Sequence, residues 1–414
     1  MTEEPGRITR RFLTPPVHEV HAHLRTRMEA LGMTTFVDAA GNLRGQLRSS
    51  GESVRRLILG SHIDTVPDAG AFDGVLGVAL ALEWVGIAQE IEFPLAIEII
   101  AFSDEEGVRF GVPFLGSRAV AGSFDPSLFA IKDADGVTVE AAIREFGLDP
   151  DGIGDAVLGK DAIGFVEIHI EQGPVLEASS CSVAAVSAIV GQTRINLVFG
   201  GHANHAGTTP MRLRHDALAA AAEWIVAVEA LARGTEGLVA TVGKIGIEPN
   251  VGNVVPGVAQ VSLEVRNADD TVRAAAVGEL LASATSIANR RGITVERKNQ
   301  LEHPAVPMDE RLTSLLADAI EAAGLPRRTM ISGAGHDAMV MAARVPTAML
   351  FLRSPGGISH HHAESVLEED VEASLRVGRE FLLRLAKQIG SPVSPMQLSK
   401  LVPSVRSVHH GEQP

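Results

Sequence analysis

The chain of 414 residues contains no tyrosine and only two tryptophans, and aromatic residues make up 4% of it. So few rings leave little from which to build a surface that stacks on nucleic-acid bases. Positive charge is scarce too. Thirty-six lysines and arginines face 51 aspartates and glutamates, a formal net charge of −15 at pH 7. The basic residues are scattered, so no block of them can neutralise a run of phosphates, and nucleic acid is not expected as a partner. A single cysteine, Cys181, excludes an intrachain disulfide and a cluster of thiolate ligands, and reads as a small buried residue. No segment reaches the roughly 18 uninterrupted apolar residues of a membrane span. Met1 to Phe12 lacks the apolar stretch of a secretion signal. No membrane association is expected, and the cytosol is the default location. An acidic chain that handles an anion must make a local positive site from metal, arginine or backbone N–H groups.

What is present describes an ordinary globular protein: 45% hydrophobic and 21% charged residues, without the polarity of a disordered chain. The length exceeds what one hydrophobic core supports, so two domains are expected. In the first part of the chain, Arg56–Gly60 and Leu95–Phe102 read as buried strands, and Pro16–Leu31 and Val75–Gln89 as helices. Phe165–Glu171 and Ser182–Ile189 continue the strands, and Ser127–Lys160 reads as a helix plus loops. This alternation points to an α/β fold with a largely parallel sheet.

From about Thr193 the pattern changes. A strand (Arg194–Phe199), an alanine-rich helix (Asp216–Arg233), two strands (Leu238–Ile247 and Ala259–Arg266), a helix (Asp270–Arg290) and a strand (Thr294–Lys298) give the split βαβ order of a small α+β sandwich. The α/β character then returns with a helix at Asp309–Ala323, a strand at Thr347–Leu352 and a helix at Glu369–Gln388. The expected organisation is a discontinuous catalytic domain (1–190 and 304–389), an inserted domain (191–303) and a flexible tail (390–414).

Histidines and acids follow the strands. Ser61-His62-Ile63-Asp64 ends the first, Asp104-Glu105-Glu106-Gly107 follows the second, His169 lies within the third, and Gly357-Ile358-Ser359-His360 follows the last. In an open α/β sheet the carboxyl ends of the strands form the ligand crevice, so these groups aim at one place. Phe72-Asp73-Gly74 adds a carboxylate just before an apolar helix. Three imidazoles with two or more carboxylates suit Zn, Mn, Co or Ni better than Mg or Ca, which prefer oxygen alone. One carboxylate can bridge two such ions.

These motifs resemble those of the M20 family of metallopeptidases and amidases, and within it the allantoate amidohydrolase and N-carbamoyl-L-amino acid hydrolase branch. The resemblance extends from Gly41-Asn42-Leu43 to Ala363-Glu364. It also takes in His169-Ile170-Glu171-Gln172-Gly173-Pro174, Asn204-His205-Ala206-Gly207-Thr208-Thr209-Pro210-Met211, Asn253-Val254-Val255-Pro256-Gly257 and Gly333-Ala334-Gly335-His336-Asp337-Ala338. It implies two divalent metal ions, with Asp73 bridging, His62 and His169 on one, and Glu106 and His360 on the other. Glu105 becomes the general base, a role that suits a carboxylate passing a proton from water to a leaving nitrogen. Asp64 is expected to fix the His62 tautomer.

For the inserted domain the resemblance implies a lid and dimerisation role. It assigns His205, often supplied by a partner subunit, to oxyanion stabilisation. Gln192, Asn253, Arg266 and the Gly333–Gly335 backbone, Gly335 included, would bind the substrate, with Asn253 and Arg266 on its carboxylate. Closure of this domain would bring His205 and Arg266 to the metals.

Each residue also has a plainer reading. A lone histidine after a strand is an ordinary polar residue, and Glu105-Glu106 alone would be a solvated turn; their joint placement reverses that. The triplet His360–His362 leaves the register open on the residues alone, and the resemblance selects His360. His202, His215 and His303 read as structural, and His336 and Asp337 as supporting residues. Arg266 could be a salt-bridged edge residue, and Arg353 is as readily an exposed loop residue as an anion contact.

The expected activity is hydrolysis of a ureido C–N bond on a small anionic substrate, allantoate or an N-carbamoyl-L-amino acid, by a homodimer. The alternatives are another M20 amidase or dipeptidase, or a catalytically silent metal-binding scaffold. Presence of Glu105 beside a full set of candidate ligands speaks against the scaffold.

Overall fold

The computed structural model describes residues 1–49 and 55–389; the expected tail at 390–414 lies outside them. The chain forms two compact units. One holds Met1–Ala185, Asp309–Thr329 and the described residues from Val340 on; the other holds Val186–Met308 and Met330–Met339.

The first unit is built on parallel strands. Arg56–His62 pairs in parallel with Ala96–Phe102 on one side and with Ala162–Ile170 on the other, and Thr347–Leu352 pairs in parallel with Ala162–Ile170. Thr34–Val37 and Leu43–Leu47, two short strands without a clear signal in the sequence, add an antiparallel edge beyond Ala96–Phe102. Alternation along the strands sends Leu57, Leu59, Ile97, Ile99, Val166, Ile168, Leu350 and Leu352 into a single core, where they meet Trp84, Val85, Leu316 and Phe381. Those four come from the helices Val75–Glu90, Glu310–Ala322 and Glu368–Gln388. Strands covered by helices must be apolar along their length, which is why these runs were visible as near-continuous hydrophobic segments. Between Ser127 and Lys160 the expected helix is Val139–Glu145, flanked by 3-10 turns at Pro126–Ala130 and Pro150–Ala156.

The second unit has a sheet whose central strands, Gly191–Gly200 and Val258–Asn267, pair antiparallel over their whole length. Thr294–His303 pairs with the first of them, five residues longer than the sequence suggested, with a register shift between Arg297 and Gln300. The single strand expected at Leu238–Ile247 is two, Val239–Thr241 and Ile245–Glu248, both paired with Val258–Asn267. The chain breaks around Gly243, where Lys244 donates its N–H to Ser262 Oγ at 3.0 Å. Helices Ala217–Gly234 and Asp270–Arg291 pack Trp224 and Leu280 with Phe199, Leu197 and Leu263 of the sheet. Trp224 Nε1 donates to the Leu280 carbonyl at 2.8 Å, so its buried polar group is satisfied. Asp216 and Asp269 cap the two helices with their side chains.

Among the described residues no helix is long and apolar enough to cross a membrane.

One contact in the first unit ties packing to the site. Helix Val75–Glu90 lies so close to the sheet that a Cβ at Gly77 would sit 1.9 Å from the Ile168 carbonyl oxygen and 2.8 Å from Ser61 Cβ. Backbone cannot yield as a flexible side chain does, so Gly77→Ala is expected to cost about 1–3 kcal/mol and to lower the thermal midpoint. An unchanged midpoint would show that the helix can shift freely.

Candidate metal centre

Parallel pairing aligns the carboxyl ends of the central strands. His62 is the last residue of its strand, in register with Phe102, after which the chain passes through Ser103 and Asp104 to Glu105 and Glu106. His169 lies one residue from the end of the neighbouring strand, opposite Phe351, and the chain beyond Leu352 leads to His360. Asp73 arrives on the loop before helix Val75–Glu90. There Gly74 has φ +66°, and a Cβ on it would stand 2.5 Å from three atoms of the His62 ring. Only glycine satisfies both conditions.

The five groups meet around Asp73. His169 Nε2 lies 3.2 Å and His62 Nε2 3.6 Å from Asp73 Oδ1, and the two Nε2 atoms are 3.2 Å apart. On the other side, His360 Nε2 is 3.2 Å from Asp73 Oδ2 and 3.3 Å from Glu106 Oε1. Ligand atoms of His62, Asp73 and His169 thus form one compact trio and those of Asp73, Glu106 and His360 a second, with Asp73 common to both. Glu105 groups with His62 and Glu106 and is buried.

Hydrogen bonding fixes what this cluster can hold. His62 Nδ1 donates to the Asp64 carbonyl oxygen at 3.0 Å, and His169 Nδ1 donates to the Ile170 carbonyl oxygen at 2.9 Å. With both protons committed there, both Nε2 lone pairs face the carboxylate, and the buried Asp73 Oδ1 accepts no hydrogen bond. Acceptors converging without donors require a cation. The titration of the groups expresses the same demand. Burial opposes charge on His62 and His169, yet hydrogen bonds to Asp64 and Asp73 lift the first well above its ordinary value, and Asp73 raises the second. Asp73 is held well below the carboxylate range by the three histidines, against the effect of burial. His360, beside Asp73 and Glu106, is pushed up to about 10. Nitrogen and oxygen donors in these proportions fit divalent ions such as Zn or Mn.

In the second unit the remaining expected residues form two groups. His205 pairs across a short ladder with Val254, and Ala206 N–H donates to the Asn253 carbonyl at 2.9 Å, which puts Asn253 beside His205. His205 Nδ1 accepts from the N–H groups of Gly207 (3.1 Å) and Thr208 (3.2 Å), so its proton sits on Nε2, ready to be donated. Gln192 stands directly opposite Arg266 at the other end of the paired strands. The eight residues from Gln192 to Gly200 span about 26 Å of strand.

A model of peptidase family M20/M25/M40 matches residues 58–387. The chain belongs to this family. It is 37% identical over 414 aligned residues to the allantoate deiminase of Arabidopsis thaliana, with 91% of this chain and 78% of that protein covered. To the N-carbamoyl-L-amino acid amidohydrolase of Geobacillus stearothermophilus it is 35% identical, with 93% and 94% covered. A hydantoinase/carbamoylase family amidase from Burkholderia multivorans matches it with a TM-score of 0.87 at 31% identity, covering 93% of this chain and 94% of that one. The resemblance read from the motifs is borne out.

Several details of this M20 chain differ from the sequence reading. The Asp64 carbonyl, not its carboxylate, makes the close contact to His62; the carboxylate accepts the N–H groups of Glu105 (2.9 Å) and Glu106 (3.1 Å) and so sets the turn that carries them. Asn253 keeps company with His205 rather than with Arg266. The Gly333–Gly335 segment does not form an open nest of donors: the Gly333 carbonyl accepts from Arg266, and Ala334 N–H donates to Ser332 Oγ. Arg266 also pairs with Glu264. Arg353 is bound to Asp370 and Glu369, so it is structural. His361 Nδ1 accepts from Ala363 N–H, and His362 faces Asp68, which leaves His360 as the member of the triplet in the cluster.

Three polar residues inside the quoted motifs received no role from sequence. Gln172 Nε2 donates to Asp73 Oδ2 at 3.1 Å, and Ser359 and Glu364 connect to the same loop. Gln172 and His360 both have positive φ, 60° and 54°, strain of the kind that persists where surrounding contacts over-determine a site.

A pH consequence follows. A histidine whose folded pKa is raised stabilises the metal-free fold fully below its unfolded value near 6.5. That contribution is lost as pH rises through about 10 for His360. A divalent ion added at pH 8 must therefore displace a proton. Calorimetric titration of metal-free protein in buffers of differing ionisation enthalpy should register net proton release; heats independent of buffer would contradict the assignment.

Proposed function

We propose that the chain is a dinuclear metal-dependent amidohydrolase that cleaves the ureido C–N bond of a small carboxylate substrate, allantoate or an N-carbamoyl-L-amino acid. The observation that carries this reading is the meeting of three imidazoles and two carboxylates around Asp73 with Glu105 at their side. His62 and His169 would hold one ion, Glu106 and His360 the other, and Asp73 both. Bound there, divalent cations lower the pKa of water and polarise the scissile carbonyl. Relatives named for allantoate and for N-carbamoyl amino acids support the substrate class.

Glu105 takes a proton from the attacking water and returns it to the leaving nitrogen, and its backbone N–H, held by Asp64, keeps it in place. Water and the ureido group yield amine, carbon dioxide and ammonia. His205, fixed with its proton on Nε2, donates to the carbonyl oxygen as charge develops there. Gln192 and Arg266 hold the substrate carboxylate, the guanidinium offering paired N–H groups.

Residues 191–303 serve as a lid and dimerisation domain in this reading. His205 and Arg266 belong to opposite ends of one strand pair, so one copy cannot bring both to one centre. His205 and Asn253 accordingly complete the centre of a partner copy in a homodimer.

Ammonia release is the assay, across allantoate, N-carbamoyl amino acids and N-carbamoyl-β-alanine with added Mn or Zn. Glu105→Gln should lower kcat roughly 10²–10⁴-fold while elemental analysis still finds two ions per chain. If variant and parent are equally inert on every ureido compound, the catalytic reading fails.

Cross-subunit use of His205 has its own test. Glu105→Gln and His205→Ala chains, each inactive alone, should regain activity when co-expressed, because the hybrid dimer holds one centre with both groups intact. Dimers that mix but stay inactive would place His205 in its own chain's site.

A further inference from the structure

Glu364 is almost fully buried and has no place in the catalytic steps above, yet its carboxylate touches both loops that bring ligands to the second trio. Its Oε1 accepts the N–H of Phe72 at 3.0 Å and of Asp73 at 2.9 Å. Its Oε2 accepts the hydroxyl of Ser359, the residue before His360, at 3.1 Å. Gly70, on the same loop as Asp73, leaves the space this needs: a Cβ there would lie 2.3 Å from Glu364 Cβ and 2.4 Å from Oε1.

We infer that Glu364 is a positioning residue for metal binding, a clamp that sets the distance between Asp73 and His360. This rests on the metal-centre reading above. The two trios differ in what holds them. His62 and His169 stand at the ends of adjacent strands with their rings fixed by backbone carbonyls. His360 sits in a half-exposed loop at positive φ, and the backbone on its side of Asp73 is anchored to that loop through one carboxylate. Asp64 does the same for Glu105 and Glu106 by accepting both of their N–H groups. Loss of a group that orients ligands weakens metal affinity by about 10–100-fold. For Glu364 the loss should fall on the ion bound by Asp73, Glu106 and His360.

Glutamine separates hydrogen bonding from charge, since its carbonyl can accept both N–H groups and its amide can donate to Ser359 Oγ. The experiment is calorimetric titration of the metal-free full-length protein with Mn²⁺ alone and with Zn²⁺ alone, for the parent, Glu364→Ala and Glu364→Gln, with circular dichroism to confirm folding. Two binding events are expected for the parent. In Glu364→Ala one should remain near the parental affinity while the other weakens about 10–100-fold, and Glu364→Gln should restore it. Native affinity for both ions in Glu364→Ala, or equal losses in both variants, would overturn the inference. Should Glu364→Ala not fold, Gly70→Ala displaces the carboxylate without removing it, and the same selective loss is expected; two parental affinities there would overturn the clamp. A parent that binds no divalent ion would sink the metal-centre reading itself, a result distinct from failure of the clamp alone.

Discussion

The first unit is organised around an excess of hydrogen-bond acceptors. Two imidazole nitrogens, their protons already given to backbone carbonyls, point at a buried carboxylate that has no donor on one of its oxygens. In a low-dielectric interior such an arrangement repels itself unless a positive charge occupies the middle. Protons can supply that charge, as the elevated titration of His360 shows, and so can metal ions. Much of the nearby structure keeps those acceptors from turning away: the carbonyls of Asp64 and Ile170, the glycine against the His62 ring, and the two carboxylates spent on backbone N–H groups.

The scaffold is suited to this because parallel strands end together. Each of the central strands contributes one ligand or leads to one, and the helices beneath them pin the strands through a core of Trp84, Phe381 and the inward-facing aliphatic residues. Strand ends are rigid and loops are not. That difference explains why the ligands on loops, Asp73, Glu106 and His360, have polar side chains bracing their backbones, whereas His62 and His169 need only the neighbouring main chain. The second unit uses the same economy of means. Its paired strands carry one polar group at each end, and His205 is fixed by the N–H groups of its own turn.

Sequence made legible whatever depends on local order. Apolar runs marked the central strands within a few residues, because strands buried on both faces cannot alternate. Helix boundaries followed from caps and periodicity, as at Asp216 and Asp269. The residue types at strand ends made a divalent metal centre the natural expectation, and the order of the motifs identified the family. Short edge strands such as Thr34–Val37 escaped, since four residues carry too little pattern, and the break at Gly243 was hidden inside a continuous apolar run.

Only the tertiary structure decided how the polar residues divide their work. Sequence could place Asp64 near His62 but not choose between its carbonyl and its carboxylate; it could not say which histidine of the triplet turns inward, nor that Asn253 lies with His205, nor that Arg353 is consumed by Asp370. Those outcomes depend on a few ångströms and on the direction of a single lone pair or N–H. Residue type and spacing determined the elements and the chemistry available to them, because both arise from the chain's own periodicity and composition. Partner choice among polar groups came from folding, because a hydrogen bond is short and directional and the groups that make it here are separated by up to 292 residues.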